Sequence, residues 1–137
     1  MLPESITLLI REEQARQAWR FVEGVDLEAY LGKLDTRAEI LSDLADGRCR
    51  GFVAFYANDL ATRQAYITLV LVDPRDRGAG VGRALTACVL DLARRRGFTS
   101  CRLEVARDNH AAHAMYRALG FRVIEGRAGK DLMEIAL

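Results

Sequence analysis

The sequence lacks the features that define several classes of protein. Its longest mostly apolar run, residues 65–72, is far shorter than the ~18 residues that span a bilayer. The N-terminus has no basic start before its short apolar run, so we expect no signal peptide. Lys and Arg number 20 against 19 Asp and Glu, a net charge of +1, so we expect neither nucleic acid nor an anionic membrane as a partner.

Cysteine is also scarce. The three cysteines, Cys49, Cys88 and Cys101, are odd in number and contain no CxxC spacing, which indicates neither a disulfide framework nor a zinc site. We interpret them as reduced thiols that fill the core of a cytoplasmic protein. His110 and His113 have no acidic or thiol partners at ligand spacing, so we expect them at the surface or beside a cofactor and expect no metal.

The composition that is present is typical of one globular domain. The chain has 137 residues, of which 50% are hydrophobic and 28% are charged. These values are sufficient for a single hydrophobic core. Because no internal repeat and no long linker interrupts the pattern, we predict one domain that covers residues 1–137.

The first half of the chain predicts two helices among antiparallel strands. We expect, in order, a strand at 1–10, helices at 12–22 and 26–34, an ambiguous segment at 38–44, and strands at 51–58 and 65–72. Asp26 is a plausible N-cap of the second helix, and Asp46-Gly47 predicts a hairpin turn. Three consecutive antiparallel strands follow from this pattern.

The second half changes to a strand–helix–strand rhythm. Asp73-Pro74 ends the preceding strand, because proline cannot continue a ladder. We then expect a helix at 79–96, a strand at 100–106, a helix at 109–120, and strands at 121–125 and 132–137. The strands at 65–72 and 100–106 flank a crossover helix, so they should be parallel. The fold class is therefore α/β with a mixed sheet, antiparallel at the start and containing one central βαβ unit.

A glycine-rich turn lies between the buried strand and the crossover helix. Gly78, Gly80 and Gly82 allow the backbone to approach a ligand closely, and the free N–H groups at a helix start attract an anion. Arg77 and Arg83 flank that start, where positive side chains oppose the helix dipole. A bound pyrophosphate would remove this conflict, whereas a plain tight turn would need neither the arginines nor three glycines.

Two common phosphate-binding motifs do not fit this turn. The Walker A pattern GxxxxGK[ST] is absent. In the dinucleotide fingerprint GxGxxG the third glycine would lie one position later, although Glu104 lies at about the distance of the acid that binds ribose. That fold also needs repeated βαβ units and this chain has one, so we reject it.

Two signatures resemble those of the GNAT acetyltransferase superfamily. Val72-Asp73-Pro74 followed by Arg77-Gly78-Ala79-Gly80-Val81-Gly82 looks like its coenzyme A motif, R/Q-x-x-G-x-G/A after a strand that ends in V-x-P. The second signature, N-x-x-A-x-x-x-Y-x-x-x-G-F, is matched by Asn109, Ala112, Tyr116 and Gly120-Phe121, after Leu103-Glu104-Val105. The order and the separation also match, and the resemblance is close over residues 50–125.

The resemblance implies acetyl-CoA as cosubstrate, with no metal, and a sheet whose two parallel strands splay apart to admit it. The pantetheine arm would lie between those strands and the pyrophosphate on the glycine turn. Asn109 would contact the cofactor, although simple capping of the next helix explains it equally well. The residues expected to bind the cofactor are Leu71, Val72, Arg77, Gly78, Ala79, Gly80, Val81, Gly82, Arg83 and Asn109.

Two residues are candidates for catalysis. Tyr116 follows Asn109 by two helical turns, and its spacing alone favours a core tyrosine. The resemblance instead implies a general acid that protonates the departing thiolate, while a backbone N–H of Val72 polarises the thioester carbonyl. Glu104 resembles the base of N-terminal acetyltransferases that modify ribosomal protein alanine, and a glutamate paired with Arg102 is the alternative.

The expected function is therefore acetyl transfer from acetyl-CoA to the primary amine of a small molecule. A protein N-terminal acetyltransferase is one alternative, a non-catalytic acyl-CoA-binding regulatory domain is another, and a homodimer is left open. The acceptor pocket has no recognised motif. Its candidate residues, each with ordinary surface placement as the alternative, are Asp26, Glu28, Tyr30, Tyr56, Asp59, Tyr66 and Thr68.

Overall fold

The computed structural model describes residues 2–17 and 26–137. The described residues form four α-helices, one short 3-10 turn and six strands. In chain order these are α1 (Glu4–Arg16), α2 (Leu27–Arg37), β1 (Glu39–Ala45), β2 (Arg48–Tyr56), β3 (Gln64–Val72), the 3-10 turn (Pro74–Asp76), α3 (Val81–Arg95), β4 (Ser100–Ala106), α4 (His110–Leu119), β5 (Arg122–Arg127) and β6 (Lys130–Ala136). No helix among them is long and apolar enough to cross a membrane.

The N-terminal segment corrects one prediction, because residues 1–10 do not form a strand. Helix α1 begins at Glu4, and the carbonyl of Pro3 accepts the N–H groups of Ile6 and Thr7. A strand that buried Ile6 would also bury Leu8, two residues on, yet Leu8 is 54% exposed and Leu9 is 4% exposed. The helix predicted from residue 12 is confirmed as far as Arg16, and its continuation to Val22 lies outside the described residues.

The remaining predicted elements are present. Asp26 caps α2 by accepting the N–H of Ala29, and the helix runs three residues beyond the predicted end to Arg37. The ambiguous segment is strand β1. Asp46 and Gly47 connect it to β2 with φ values of 52° and 74°, as a two-residue hairpin turn requires.

The sheet is mixed, with strand order β1-β2-β3-β4-β6-β5. Every neighbouring pair is antiparallel except β3 and β4, which confirms the predicted α/β class and its parallel βαβ unit. The parallel pairing covers only Gln64–Ile67 against Ser100–Leu103. Beyond these residues the two strands separate.

Helices cover both faces of the sheet. A larger core cluster joins the sheet to α3 and α4 and contains Val89, Leu103, Tyr116 and Phe121. A smaller cluster joins the opposite face to α1 and α2. Cys49 and Cys101 are buried as expected, but Cys88 is exposed on α3, so its assignment to the core is wrong.

A buried aspartate anchors the chain where β3 ends. Asp73 accepts hydrogen bonds from the backbone and guanidinium of Arg75 and pairs with Arg48 at 3.4 Å. The hydrogen bond from Arg75 holds the pKa of Asp73 well below its usual range, although burial acts in the opposite direction. The backbone N–H of Asp73 also donates to the carbonyl of Arg50 on β2 at 2.8 Å. These contacts fix the start of the segment that leads into the glycine turn.

Candidate active site

The site begins where β3 leaves its parallel neighbour. The register of β3 against β2 shifts from Ile67 to Leu69, so Thr68 is an extra residue in the ladder, a β-bulge. The backbone groups of successive residues in a strand point alternately to its two neighbours. Because the N–H of Asp73 points to β2, the backbone N–H and C=O of Leu71 point to β2 as well. The backbone groups of Val70 and Val72 therefore point the other way, toward the gap that β4 has left.

This gap is the floor of a cleft of about 540 Å³. The end of β3, the glycine turn, the start of α3 and one face of α4 form its walls. Of the ten residues predicted to bind the cofactor, all except Ala79 line this cleft. The structure therefore brings together residues that are up to 38 positions apart in the sequence (Leu71 to Asn109).

The glycine turn presents open backbone to the cleft. Gly78 and Gly80 have φ values of 82° and 81°, and a Cβ at either position would meet no atom within 4 Å. Gly80 is the N-cap of α3, which has no side-chain cap and no acidic residue in its first turn. The first N–H groups of the helix are therefore available to an anion. Gly82 packs closely, since its Cβ would lie 3.4 Å from Val72 and 3.5 Å from Met115.

The charged groups around the cleft include one that sequence reasoning missed. Glu13 of α1 lines the cleft, is 5% exposed, and accepts hydrogen bonds from Arg16 (2.7 Å), Gln17 (2.7 Å) and Arg77 (3.0 Å). Burial raises the pKa of Glu13, but the bonds from Gln17 and Arg16 and the charge of Arg77 outweigh it and leave the pKa below its usual value. The sequence signal that could have identified Glu13 is a carboxylate among the apolar residues of an amphipathic helix.

Arg77 spans the edge of the cleft. Besides its contact with Glu13, its Nε donates to the carbonyl of Val72 at 3.3 Å. Arg83 lines the same cleft and is exposed. Two cationic side chains thus lie beside the open start of α3, as the sequence predicted.

Tyr116 of α4 lines the cleft. It also lines a second, smaller cavity of about 170 Å³, which lies between β3, β4 and α4. Tyr116 is 7% exposed, and its ring meets that of Phe121 edge-on at 5.7 Å. Burial raises the pKa of Tyr116 to about 12. The phenol is therefore protonated at neutral pH, which a general acid requires.

Glu104 lines the same small cavity. It lies on β4 just beyond the last parallel pair and is exposed. The alternative of a salt bridge with Arg102 is not formed, because Arg102 binds Glu134 at 2.7 Å. Tyr66 lies diagonal to Glu104 on the neighbouring strand, and its pKa is raised to about 12, first by burial and then by the charge of Glu104.

Asn109 caps α4, because its side chain accepts the N–H of Ala112 at 3.2 Å. It also lines both cavities, so a contact with a ligand stays a prediction. His113 of the same helix is only partly exposed, and its Nε2 lies 3.2 Å from Asp131 on β6. Within the described ranges, no cluster of three metal-ligating side chains occurs.

The carboxylates proposed for the acceptor pocket have other partners. Asp26 caps α2, Glu28 pairs with Arg11, and Asp59 accepts the N–H groups of Ala61 and Thr62 in a turn. The three candidate tyrosines, in contrast, lie near one another. Tyr56 and Tyr66 are direct cross-strand partners, and Tyr30 of α2 lies close enough to Tyr56 for the two phenols to interact. Thr68 is the bulge residue and lines the smaller cavity.

Comparison with known proteins identifies the family. The family model described as Acetyltransferase (GNAT) family matches residues 7–121. The chain belongs to this family, as its two signatures predicted.

Among curated proteins, an L-2,4-diaminobutyric acid acetyltransferase from Nocardia farcinica is 35% identical over 77 residues, which is 56% of this chain and 40% of that protein. A mycothiol acetyltransferase from Tsukamurella paurometabola is 40% identical over 80 residues, 58% of this chain and 27% of that protein. The matched region therefore spans less than half the length of either relative. The crystal structure of Ard1 from Thermoplasma volcanium superposes with a TM-score of 0.80 at 25% identity, covering 100% of this chain and 94% of that one.

Proposed function

We propose that the chain is an acetyltransferase that moves an acetyl group from acetyl-CoA to a primary amine of a small molecule by direct transfer. One observation carries the proposal. The uncapped start of α3, the unpaired edge of β3 and the protonated Tyr116 all face one cleft. The diaminobutyric acid acetyltransferase, a relative whose name gives a small amine as acceptor, supports that substrate class.

The residues present fit acetyl-CoA. The glycine turn and the first N–H groups of α3 would hold the pyrophosphate, with Arg77 and Arg83 beside it. The backbone groups of Val70 and the N–H of Val72 would hold the amides of the pantetheine arm, as an added strand pairs with a sheet edge, whereas the Val72 carbonyl already accepts a hydrogen bond from Arg77. The resemblance implies Leu71 for this pairing, but the backbone of Leu71 points to β2, so we propose Val70 in its place.

The chemistry then follows from three groups. The amine nitrogen forms a bond to the thioester carbonyl carbon, and the carbon–sulfur bond breaks. Glu104 accepts the proton that the substrate ammonium loses before its neutral nitrogen attacks, directly or through a water. A backbone N–H on the free edge of β3 polarises the carbonyl oxygen, and Tyr116 donates its proton to the departing thiolate sulfur. The nitrogen loses its second proton as the amide forms, and this proton restores the phenol of Tyr116. The cosubstrate supplies the activated acetyl group, and the protein supplies position and proton transfer.

The test is a screen of amines for release of free thiol from acetyl-CoA. The panel contains diamino acids, polyamines, amino sugars, aminoglycosides and short peptides with free N-termini. We expect thiol release with a small amine and a mass gain of one acetyl group on that amine. Release with peptides alone would replace the small-molecule acceptor by a protein N-terminus. Binding of coenzyme A without turnover on any amine would favour a non-catalytic acyl-CoA-binding domain.

A further inference from the structure

Of the described residues, two carboxylates line the cleft, although an anion is expected to bind there. They are Glu13 of α1 and Asp76 of the 3-10 turn. Asp76 is held by Arg48, which donates to its two carboxylate oxygens at 2.6 Å and 3.2 Å. Glu13 is also held by cations, but one of them is Arg77, which lines the same cleft. Glu13 therefore shares a side chain with the proposed anion site, and Asp76 is balanced by an arginine of β2.

Side-chain donors already occupy both oxygens of the Glu13 carboxylate. Its Oε1 accepts from Arg16 at 2.7 Å and from Arg77 at 3.0 Å, and its Oε2 accepts from Gln17 at 2.7 Å. Burial alone would raise its pKa, but these bonds and the charge of Arg77 hold the pKa below its usual value, so the group is ionised at neutral pH. Glu13 is therefore better suited to holding a neighbouring side chain than to accepting a proton from a substrate.

Arg77 is held at two of the three nitrogens of its guanidinium. Its Nη2 donates to Glu13, and its Nε donates to the carbonyl of Val72, the last residue of β3. Within the part of the chain that the structure describes, no group accepts a hydrogen bond from Nη1. Because the guanidinium is planar, fixing Nε and Nη2 also fixes the direction of the Nη1 donors. The side chain is 51% exposed, so these donors are accessible to an anion.

We propose that Glu13 is a positioning residue, which holds Arg77 across the end of β3 so that the remaining N–H groups of Arg77 meet the pyrophosphate of coenzyme A. The inference rests on the proposed function, because it assigns Glu13 to the coenzyme side of the same site. An arginine that is already oriented loses less side-chain freedom when it binds a phosphate. Glu13 therefore contributes to the affinity for an anion despite its own negative charge.

The negative charge of Glu13 allows the sign of the effect to test the inference. A carboxylate repels an anion, so by charge alone Glu13→Gln should tighten the binding of coenzyme A. If Glu13 orients Arg77, the same variant should weaken the binding. Gln keeps the size of the side chain, so the packing of α1 against the sheet should be retained.

The experiment measures the Kd of coenzyme A by calorimetry for the wild type and four variants. These are Glu13→Gln, Arg77→Ala, the double variant of both, and Glu12→Gln as the matched control. Glu12 is the exposed neighbour of Glu13 on α1, so its variant makes the same change of charge on the same helix. Melting temperatures without ligand check that each variant is folded.

We expect Glu13→Gln to raise the Kd by about tenfold, which is the order of one lost hydrogen bond between charged groups. Glu12→Gln should leave the Kd within about twofold of the wild-type value, because solvent and salt screen an exposed charge. In the Arg77→Ala background, Glu13→Gln should cause no further rise, because the side chain that Glu13 positions is gone. An equal rise in both backgrounds, or a lower Kd in Glu13→Gln, would overturn the inference.

A second readout needs no coenzyme and separates this inference from the proposed function. The heteronuclear Overhauser effect at Nε of Arg77, measured on the ¹⁵N-labelled protein, reports how firmly the guanidinium is held. This effect should be high in the wild type and fall in Glu13→Gln toward the value for Arg83, which lines the same cleft and is exposed. An unchanged effect would contradict the positioning role. A wild-type protein that does not bind coenzyme A would overturn the proposed function instead.

Discussion

A negative charge at position 80 should abolish tight binding of coenzyme A, whereas a neutral side chain of the same size should weaken it far less. Gly80 has φ of 81° and open space where a Cβ would lie, so Asn and Asp are equally strained there and equally free of clashes. The two variants differ only in charge. Two unit charges ~4 Å apart repel by about 1 kcal/mol in bulk water and about 4 kcal/mol near a protein surface. For this open cleft we take about 2 kcal/mol, or roughly 30-fold in Kd.

The assay is the shift in melting temperature caused by coenzyme A. At a concentration ~100 times the wild-type Kd, the ligand adds about 2.7 kcal/mol to the free energy of unfolding. A Kd about 30-fold above the wild-type value in Gly80→Asp would reduce that gain to about 0.9 kcal/mol, so its thermal shift should be about a third as large, whereas that of Gly80→Asn should be clearly larger. Equal shifts for folded Asn and Asp variants would refute the placement of the pyrophosphate on this turn.

Three further predictions follow from the same contacts. Tyr116→Phe should slow single-turnover acetyl transfer by about 100-fold or less with unchanged coenzyme A affinity, because a thiolate leaves with modest help; an unchanged rate would mean that another group protonates it. Asp73→Asn should destabilise the protein by about 1–2 kcal/mol at neutral pH, because it weakens the charged contacts with Arg75. Since the folded pKa of Asp73 is lowered, its contribution is complete above the unfolded pKa and disappears as pH falls through the folded value, so denaturation curves of the two proteins should converge only in strong acid. Leu9→Ala should cost about 2–5 kcal/mol and Leu8→Ala about 0.5 kcal/mol or less in urea denaturation; equal losses would contradict the helical assignment of α1.

The glycine turn and the βαβ unit could be predicted because their signals are local. Residues 65–96 contain four local signals in direct succession: a strand rich in β-branched residues, a proline that ends it, a turn with three glycines, and an amphipathic helix. The same holds for Asn109, which caps α4, and for Tyr116, which lies two turns further along that helix. Capping, turn chemistry and periodicity all act over a few residues, so a sequence reports them directly.

The N-terminal helix was misassigned because a short apolar run fits both periods. Ile6, Leu8 and Ile10 alternate like a strand, while Ile6, Leu9 and Ile10 follow a helix. The choice depends on what covers the opposite face of β2 and β3, which is a tertiary fact.

The contacts that complete the site are long-range and had no local signal. Glu13 reaches Arg77 across 64 positions, and the parallel pairing places Glu104 diagonal to Tyr66 on the neighbouring strand. The bulge at Thr68 was equally hidden, because the residue that is left unpaired depends on the register against β2. The free edge at Val70 and Val72 is a consequence of that register. It could be located only once the parallel pairing was seen to end at Ile67.

The proposed function requires coenzyme A to lie in the cleft between the separating ends of β3 and β4. The most direct measurement is a titration of the ¹⁵N-labelled protein with coenzyme A, followed by amide chemical shifts. We expect the largest saturable shifts at the amides of Val70, Val72, Gly80 and Gly82, and almost none in the hairpin between β1 and β2 around Gly47. Saturable shifts confined to another surface, or no saturable shifts at all, would contradict it.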